Sequence, residues 1–333
     1  MKQKLVLAFL ACLLVVASCS GVYGKAFYEG KKITLIVATG PGGGYDFYGR
    51  LIAKFMEKYL PGSTVIVKNV PGAGHIIGTN EVYHARPDGL TFATFNRGLP
   101  LAQVAGQKGV KFDLSKMSWL GSAGLDPLTF VVSASSPFRT LKDVMRAEEI
   151  KIGGQGAGTE GQIVSLLFAE MAALRNFNVV PGFRGGELDL AMIRGELHGK
   201  FSSWSSTAAF IKEGHGIPIL FFSREPIKGY EHVPVVSSVV TKERYKPVLE
   251  LLSTVTTLGR PFAGPPGIPQ DRLEILREAF RKALDDSELI QIATKAHRPI
   301  QYTSGDEATR LLQVILRLPP DVVELVKRAF EIK

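Results

Sequence analysis

Apolar residues along this chain form short continuous runs and helical stripes, and glycine-rich loops separate the two. Residues 33–38 are a continuous run of β-branched and aliphatic side chains, which is typical of a strand buried on both faces of a parallel sheet. From residue 48 to residue 59, apolar side chains recur three and four positions apart until Pro61 and Gly62. This spacing predicts a helix that follows the glycine loop of residues 38–44.

The same strand, loop and helix recur directly afterwards. We predict a strand at residues 64–68, a glycine loop at 71–74, a helix at 76–85 and a third strand at 91–95. This order favours right-handed βαβ connections, in which the three strands are parallel and their carboxyl ends share one edge. Open α/β sheets usually bind ligands at that edge, so both glycine loops lie where a ligand is expected.

The middle of the chain predicts a second α/β unit, and the tail predicts helices. Strands are predicted at residues 128–133, 151–153, 197–201 and 217–222, with helices at 140–146 and from the glycine turn 153–161 to residue 174. Further helices are predicted at residues 271–284, 307–316 and 321–330. No Ser- or Gly-rich linker divides the chain, so two lobes would be joined by direct strand crossings.

Residues 1–24 have the features of an export leader. Lys2 and Lys4 precede an apolar segment of signal-peptide length at residues 5–16, which is too short to span a bilayer comfortably. The segment leads to Val-Ala-Ser-Cys19, which resembles the lipobox of bacterial lipoproteins, where the cysteine is lipidated. A plain secretory cleavage near residues 22–24 is the alternative, and both interpretations export the protein.

The cysteines and histidines argue against several kinds of chemistry. Both cysteines, Cys12 and Cys19, lie in the leader, so the mature part has no thiol for a disulfide, a metal or a nucleophile. The six histidines show neither H-x-H nor H-E-x-x-H spacing, and no G-x-S-x-G motif occurs. We therefore expect no metal, no cofactor and no catalytic residue. The net charge of +9 is scattered, which disfavours nucleic-acid binding but allows attraction of small anions.

The first glycine loop has the chemistry of an anion site without the residues of a nucleotide site. It lacks the Gly-Lys-Ser/Thr of a P-loop, and Tyr45 or Phe47 stands where a dinucleotide fingerprint needs its third glycine. Glycines still let successive N–H groups converge on an anion at a helix start, which makes Gly42, Gly43, Gly44, Tyr45 and Asp46 candidate ligand contacts. The alternative is a structural turn in which Asp46 is the N-cap.

Two arginines and one tryptophan are further candidates. Asn96 and Arg97 follow the third strand at the ligand edge, and Arg184 lies in the turn after a predicted strand at residues 179–180. Either arginine could pair with a substrate carboxylate bidentately, and Trp204 could form a pocket wall. The alternatives are surface arginines and a core aromatic side chain.

These motifs together resemble a known family. The segments PGGGYD, NVPGAGH, RPDG, GGQGAGTEGQ and VVPGFRGG are similar to those of solute-binding proteins of tripartite tricarboxylate transporters, the TctC or Bug family, and the likeness extends from about residue 27 to 316. It implies an α/β, two-lobed periplasmic-binding-protein-like (type II) fold with a ligand cleft between the lobes. Lobe 1 is expected at residues 27–125 and 238–333, and lobe 2 at 126–237.

In the family, main-chain N–H groups, hydroxyls and waters of three loops hold the ligand carboxylate. The resemblance implies that residues 42–46, the loop of Ala73, Gly74 and His75, and the turn of Ala157, Gly158 and Thr159 do so here. His75 stands where a small residue is usual, Glu160 follows Thr159 where Ser-Thr is common, and Phe183-Arg184 replaces Tyr-Lys. These departures affect the identity of the ligand more than the presence of a carboxylate site.

The functional expectation is an extracytoplasmic solute-binding protein rather than an enzyme. It would capture a small organic acid as a monomer and deliver it to the small and large integral membrane subunits of the transporter. Two other interpretations stay open from the sequence. The fold could present a ligand to a membrane signalling receptor, and an enzyme using the cleft is a more distant alternative.

Overall fold

The computed structural model describes residues 27–124, 126–156, 159–174, 177–183, 186–223 and 225–331. The predicted leader and Cys19 lie outside the described residues. The described strands form a six-stranded sheet and a five-stranded sheet, and we call the parts of the chain built on them lobe 1 and lobe 2. The α/β architecture predicted from the sequence is confirmed.

The strands and helices follow one another closely along the chain. The strands are β1 (Lys32–Val37), β2 (Thr64–Asn69), β3 (Thr91–Thr94), β4 (Ser118–Ala123), β5 (Leu128–Ser133), β6 (Ile150–Gly153), β7 (Phe177–Val180), β8 (Gly199–Ser203), β9 (Gly216–Phe222), β10 (Arg260–Gly264) and β11 (Tyr302–Ser304). The helices are α1 (Gly43–Tyr59), α2 (Ile76–Tyr83), α3 (Leu99–Val104), α4 (Leu141–Arg146), α5 (Glu160–Met171), α6 (Glu187–Ile193), α7 (Trp204–Lys212), α8 (Val236–Val239), α9 (Lys246–Thr257), α10 (Gln270–Asp285), α11 (Ser287–Lys295), α12 (Gly305–Leu316) and α13 (Pro320–Glu331).

The sheet of lobe 1 has the strand order β11-β4-β10-β3-β1-β2. β1 pairs in parallel with both β2 and β3, which confirms the predicted parallel arrangement of the first three strands. β10 is antiparallel to β3 and β4, and it was not predicted, because its sequence RPFAG begins with Arg260 and Pro261 and has no strand periodicity. All five of its residues are nevertheless buried, so tertiary contacts decide its conformation.

The sheet of lobe 2 has the order β7-β6-β8-β5-β9. β6 pairs in parallel with β7 and β8, whereas β5 is antiparallel to β8 and β9. A stacked pair of rings, Phe130 on β5 and Phe201 on β8, lies at 4.3 Å between centroids in its core. Every residue of β5 is buried, as the continuous apolar run at residues 128–133 predicts.

Two strand crossings join the lobes, and they touch at a pair of glycines. The chain leaves the six-stranded sheet after β4 through Gly124 (φ 83°) and returns to that sheet after Gly259 (φ 61°), just before β10. A Cβ atom at Gly259 would lie 2.0 Å from the carbonyl oxygen of Gly124, so only glycine fits this contact. The close approach places the first residue of β10, Arg260, at the base of the space between the lobes.

The C-terminal helix connects the lobes a third time. α13 packs against α5 of lobe 2, and Val322 and Val326 are buried in that contact region. Among the described helices, none combines the length and the apolar composition that a membrane crossing requires.

Candidate ligand-binding cleft between the two lobes

Two neighbouring cavities lie between the lobes. The larger has a volume of about 380 Å³, within the range of small-molecule sites, and both lobes line it. Its walls include Gly43, Gly44, Tyr45, Asn96, Arg260 and Arg298 from lobe 1, and Thr159, Glu160, Lys200, Phe201, Ser203 and Ser206 from lobe 2. The smaller, of about 250 Å³, is lined by Thr39, Gly40, Gly72, Ala73, Gly74, His75, Gly156 and Phe183, and it shares Gln155 and Thr159 with the larger cavity.

The first glycine loop brings the start of α1 to the larger cavity. Gly42 and Gly43 have φ angles of 81° and 80°, a backbone conformation that glycine adopts without strain. Asp46 is not the N-cap: it lies within α1, where its carboxylate accepts hydrogen bonds from the Gly42 N–H (3.0 Å) and from the side chains of Arg50 (3.0 Å) and Asn69 (2.8 Å). Burial opposes ionisation of Asp46, but these hydrogen bonds lower its pKa. Asp46 therefore orders the loop instead of facing the cleft.

The second glycine loop forms a wall of the smaller cavity with a buried histidine. His75 has a left-handed backbone (φ 75°), and its ring packs edge-on against Tyr45 at 5.1 Å between centroids. Burial, and secondly the charge of Arg260, lower the pKa of His75 to about 3. The imidazole is therefore neutral at physiological pH. Its buried Nδ1 atom has no hydrogen-bond partner among the described residues.

Tyr45 connects the two glycine loops with the third strand. Its hydroxyl accepts a hydrogen bond from the Arg97 N–H (3.1 Å), and the Arg260 guanidinium lies over its ring at 4.5 Å from the centroid. Burial raises the pKa of the Tyr45 phenol, so the hydroxyl stays protonated. Tyr45 thus lies between Arg260 and His75 as a neutral wall of the larger cavity.

Arg97 pairs with a residue of the opposite lobe. Its Nε atom lies 2.7 Å from both carboxylate oxygens of Glu160, and both side chains are buried. Asn96 joins the lobes beside this pair, because its Oδ1 accepts hydrogen bonds from the Gly98 N–H (2.7 Å) and from the Glu160 N–H (3.0 Å) at the start of α5. The carboxylate bound by Arg97 is therefore that of Glu160.

Arg260 forms a second buried ion pair at the base of the cleft. Its Nη2 atom contacts Asp126 Oδ2 in the first crossing, Ser203 Oγ at 2.6 Å and Ser205 Oγ at 3.2 Å. Burial disfavours both charges, but the attraction of Arg260 lowers the pKa of Asp126 and so keeps it ionised. The contacts with Ser203 and Ser205 link Arg260 on β10 of lobe 1 to the start of α7 in lobe 2.

A third cation lies on the lobe 2 wall. Lys200 on β8 is buried, pairs with Asp189 on α6, and lies 4.9 Å from the centroid of the Phe210 ring. Burial lowers the pKa of Lys200, and the Asp189 carboxylate opposes that effect. The described residues contain no group of three or more histidine, cysteine, aspartate or glutamate side chains arranged to hold a metal ion.

Comparison with known proteins explains this architecture. Residues 49–317 match the family model described as the tripartite tricarboxylate transporter family receptor, TctC. The chain belongs to this family. The TctC family consists of periplasmic solute-binding receptors and not of enzymes, so the recognition made from the glycine motifs is confirmed.

Its relatives are distant in sequence but similar in fold. A UPF0065 protein of Bordetella pertussis is 24% identical over 290 residues, with 85% of each chain covered. The periplasmic binding protein BugD superposes with a TM-score of 0.74 at 20% identity, covering 90% of this chain and 97% of BugD. MatC of Rhodopseudomonas palustris, solved with bound malate, gives a TM-score of 0.70 at 20% identity and covers 90% of this chain and 99% of its own. These likenesses establish the two-lobed binding-protein fold.

Most of the TctC-type positions predicted from the sequence meet between the lobes, but not in one cavity. Gly43, Gly44, Tyr45, Asn96 and Thr159 line the larger cavity, and Ala73, Gly74 and His75 line the smaller one with Thr159. Four further predicted positions line neither cavity: Gly42, Asp46, Arg97 and Trp204. Trp204 packs against Phe221 and Tyr230 at 5.3 and 4.8 Å between ring centroids. Ala157, Gly158 and Arg184 lie outside the described residues.

Sequence reasoning missed most of the charged groups in this TctC cleft. Glu160, Lys200, Arg260 and Arg298 all line the larger cavity. Glu160 was noted only as a departure from the family pattern, and Arg260 begins a strand that the pattern did not reveal. One signal was available, namely a lysine within a predicted strand, as Lys200 is in β8. A lysine is rarely buried unless it is paired, so its presence there points to a buried ion pair.

Proposed function

We propose that this receptor captures a small carboxylate-bearing metabolite in the larger cavity and delivers it to the membrane subunits of a tripartite tricarboxylate-type transporter. The observation that carries the proposal is the composition of the cavity. Arg298, which has no ion pair with any described residue, lines it, and the start of α1 presents Gly43 and Gly44 to it. The other two cations of the lining, Lys200 and Arg260, are paired with Asp189 and Asp126. A helix start adds N–H groups and partial positive charge, so an anion is the favoured ligand class.

The energetics of such a site fit a micromolar receptor. A hydrogen bond to a charged group contributes about 1.5–3 kcal/mol, so roughly four of them are of the order of the ~8 kcal/mol of micromolar binding. Ordering of side chains and closure of the lobes oppose this gain. The malate bound to the structural neighbour MatC is a dicarboxylate, which supports the same ligand class here.

A thermal-shift and calorimetric screen tests the ligand class. The panel contains mono-, di- and tricarboxylates, aromatic acids and amino acids, with a sugar and a divalent metal ion for comparison. A carboxylate at 100 times its Kd should stabilise the protein by about 2.7 kcal/mol. Stabilisation by the sugar or the metal alone, with no response to any acid, would refute the proposal.

A variant of Lys200 tests whether the acid binds in the larger cavity. Lys200→Met removes a cavity cation and should weaken binding of the best acid about tenfold or more, whereas Lys54→Met removes an exposed cation of α1 and should leave the Kd unchanged. Equal effects of the two variants would place the acid elsewhere.

Delivery and anchoring need separate measurements. Capture of the loaded receptor by the small and large membrane subunits in detergent or nanodiscs, weaker for the ligand-free form, supports transport. Capture by a signalling receptor alone supports the alternative function.

The mass of the mature protein shows whether Cys19 carries lipid or whether cleavage occurs near residues 22–24.

A further inference from the structure

Arg298 lies on the loop between α11 and β11, and it lines the larger cavity from the lobe 1 side. Its backbone N–H donates to the Ala293 carbonyl at 2.8 Å, which ties the loop to the end of α11. Its guanidinium lies over the Phe47 ring, 4.8 Å from the centroid. The adjacent Pro299 carbonyl accepts a hydrogen bond from the Tyr48 hydroxyl at 2.9 Å. The loop and the side chain are therefore held in place.

Arg298 differs from other cations around the cavity because it has no carboxylate partner among the described residues. Three buried cations have carboxylate partners on the described residues, and these pairs are Arg97 with Glu160, Lys200 with Asp189, and Arg260 with Asp126. Arg298 has no ion pair with any described residue. Its Nη1 atom is buried and has no hydrogen-bond partner among them either.

The surroundings of Arg298 disfavour its positive charge. Burial first, and then the charge of Arg260, lower the pKa of Arg298, so a second guanidinium repels it from the same wall. The carboxylate whose charge opposes this effect, Asp126, is already bound to Arg260. Glu213 also lines the cavity, but it is exposed, so water screens its charge.

We propose that Arg298 is a specificity-determining residue that binds a second carboxylate group of the ligand. A guanidinium presents two parallel N–H donors that match one carboxylate, and the Phe47 ring fixes its plane. A second carboxylate at the guanidinium would supply the ion-pair partner that Arg298 lacks among the described residues and would offset the repulsion from Arg260. The inference rests on the proposed function, since it assigns one end of a ligand held in the same cavity.

Matched acids separate the role of Arg298 from carboxylate binding in general. The probes are hexanoate and hexanedioate, and butanoate and butanedioate, each measured by calorimetry. The wild-type protein should bind a diacid about 10- to 100-fold more tightly than the monoacid of the same length, because one charge-assisted interaction is added. Arg298→Gln should remove that preference by weakening the diacid about 10- to 100-fold, with a much smaller change in the Kd of the monoacid.

Two further variants complete the design. Arg298→Lys keeps the charge without the fork and should restore only part of the preference for diacids. Lys295→Gln removes one exposed positive charge three residues earlier and should change neither acid. Melting temperatures of the ligand-free variants close to that of the wild type show that the fold is retained.

The inference is overturned if the wild type binds both acids of a pair equally, or if Arg298→Gln weakens the monoacid as much as the diacid. Either result is compatible with capture of a carboxylate in the larger cavity. Absence of binding by all four acids and by the wider acid panel refutes the proposed function, and this inference with it.

Discussion

Arg97 and Glu160 form a buried ion pair that joins the two lobes. Arg97 follows β3 in lobe 1, and Glu160 begins α5 in lobe 2, with 2.7 Å between Arg97 Nε and each carboxylate oxygen. Burial raises the pKa of Glu160, and the charge of Arg97 opposes this rise. Any motion that separates the lobes at this point has to break the pair and expose both charges to water.

Removal of one partner of the Arg97–Glu160 pair should destabilise the protein much more than removal of both. Arg97→Met leaves the Glu160 carboxylate buried without a partner and should lower the free energy of unfolding by about 3–5 kcal/mol, measured by urea denaturation. The double variant Arg97→Met with Glu160→Leu should recover most of that loss. Lys68→Ala, which breaks the exposed Lys68–Glu81 pair, is the control and should cost less than about 1 kcal/mol. Additive losses in the double variant would contradict this account.

Gly44→Ala should hold the cleft partly open. A Cβ atom at Gly44 would lie 2.7 Å from Ser206 Oγ of lobe 2 and 2.8 Å from Arg260 Nη2. Alanine favours helix α1 by about 1 kcal/mol, so the variant should fold well yet close poorly. We expect a larger radius of gyration in X-ray scattering and weaker ligand binding.

The control for Gly44→Ala is a glycine with free space around it. Gly40→Ala meets no atom within 4 Å and should leave the scattering curve unchanged. Ser206→Ala in the Gly44→Ala background removes one of the clashing atoms and should restore part of the closure. An unchanged radius for Gly44→Ala would mean that the lobes do not meet here in solution.

Stability should fall as the pH falls from 6.5 towards 3 because of His75. The folded-state pKa is about 3 against an ordinary value of 6.5, so the unfolded chain binds one more proton within this window. The free energy of unfolding therefore loses up to about 1.4 kcal/mol per pH unit on acidification. The lowered pKa of Asp126 acts in the same direction once the pH falls below its ordinary value of 3.8, whereas the raised pKa of Glu160 acts in the opposite direction above its ordinary value of 4.5.

A variant isolates the histidine from these other groups. His75→Asn keeps a side chain that tolerates the left-handed backbone and should flatten the pH dependence between 6.5 and 3 in urea titrations. The control His84→Asn changes an exposed histidine and should reproduce the wild-type curve. Equal slopes for wild type and His75→Asn would assign the acid sensitivity to other groups.

Arg260→Lys should not behave as a conservative change. The arginine contacts Asp126, Ser203 and Ser205 at once, and it lies over the ring of Tyr45. Lysine keeps the charge but loses the planar fork and the stacking, so a loss of about 1–3 kcal/mol in the free energy of unfolding is expected. The control is Arg310→Lys, a change of an exposed arginine on α12, and no measurable loss is expected. A wild-type melting temperature for Arg260→Lys would show that only the charge matters.

Much of this architecture follows from local sequence patterns. The stripe of α1 is visible because burial of one face of a helix imposes a period on the sequence. The apolar runs of β1, β5 and β9 are visible because a strand buried on both faces is apolar along most of its length. The glycine loops are visible because only glycine supplies their backbone angles cheaply. Those loops also carried the resemblance to the TctC family, which the family match confirmed.

The charges of the cleft depend on contacts that local patterns do not encode. Arg97 and Glu160 are 63 positions apart in the chain, and Arg260 and Asp126 are 134 apart. Arg97 was a candidate ligand contact with a surface arginine as the alternative, but it is buried and paired with Glu160 of the other lobe. Asp46 was considered as an N-cap but lies inside α1. The sequence by itself determined the elements and the loops, because these depend on neighbouring residues. Only the tertiary structure decided which charges are paired and left Arg298 without a carboxylate among the described residues, since pairing depends on how the two lobes meet.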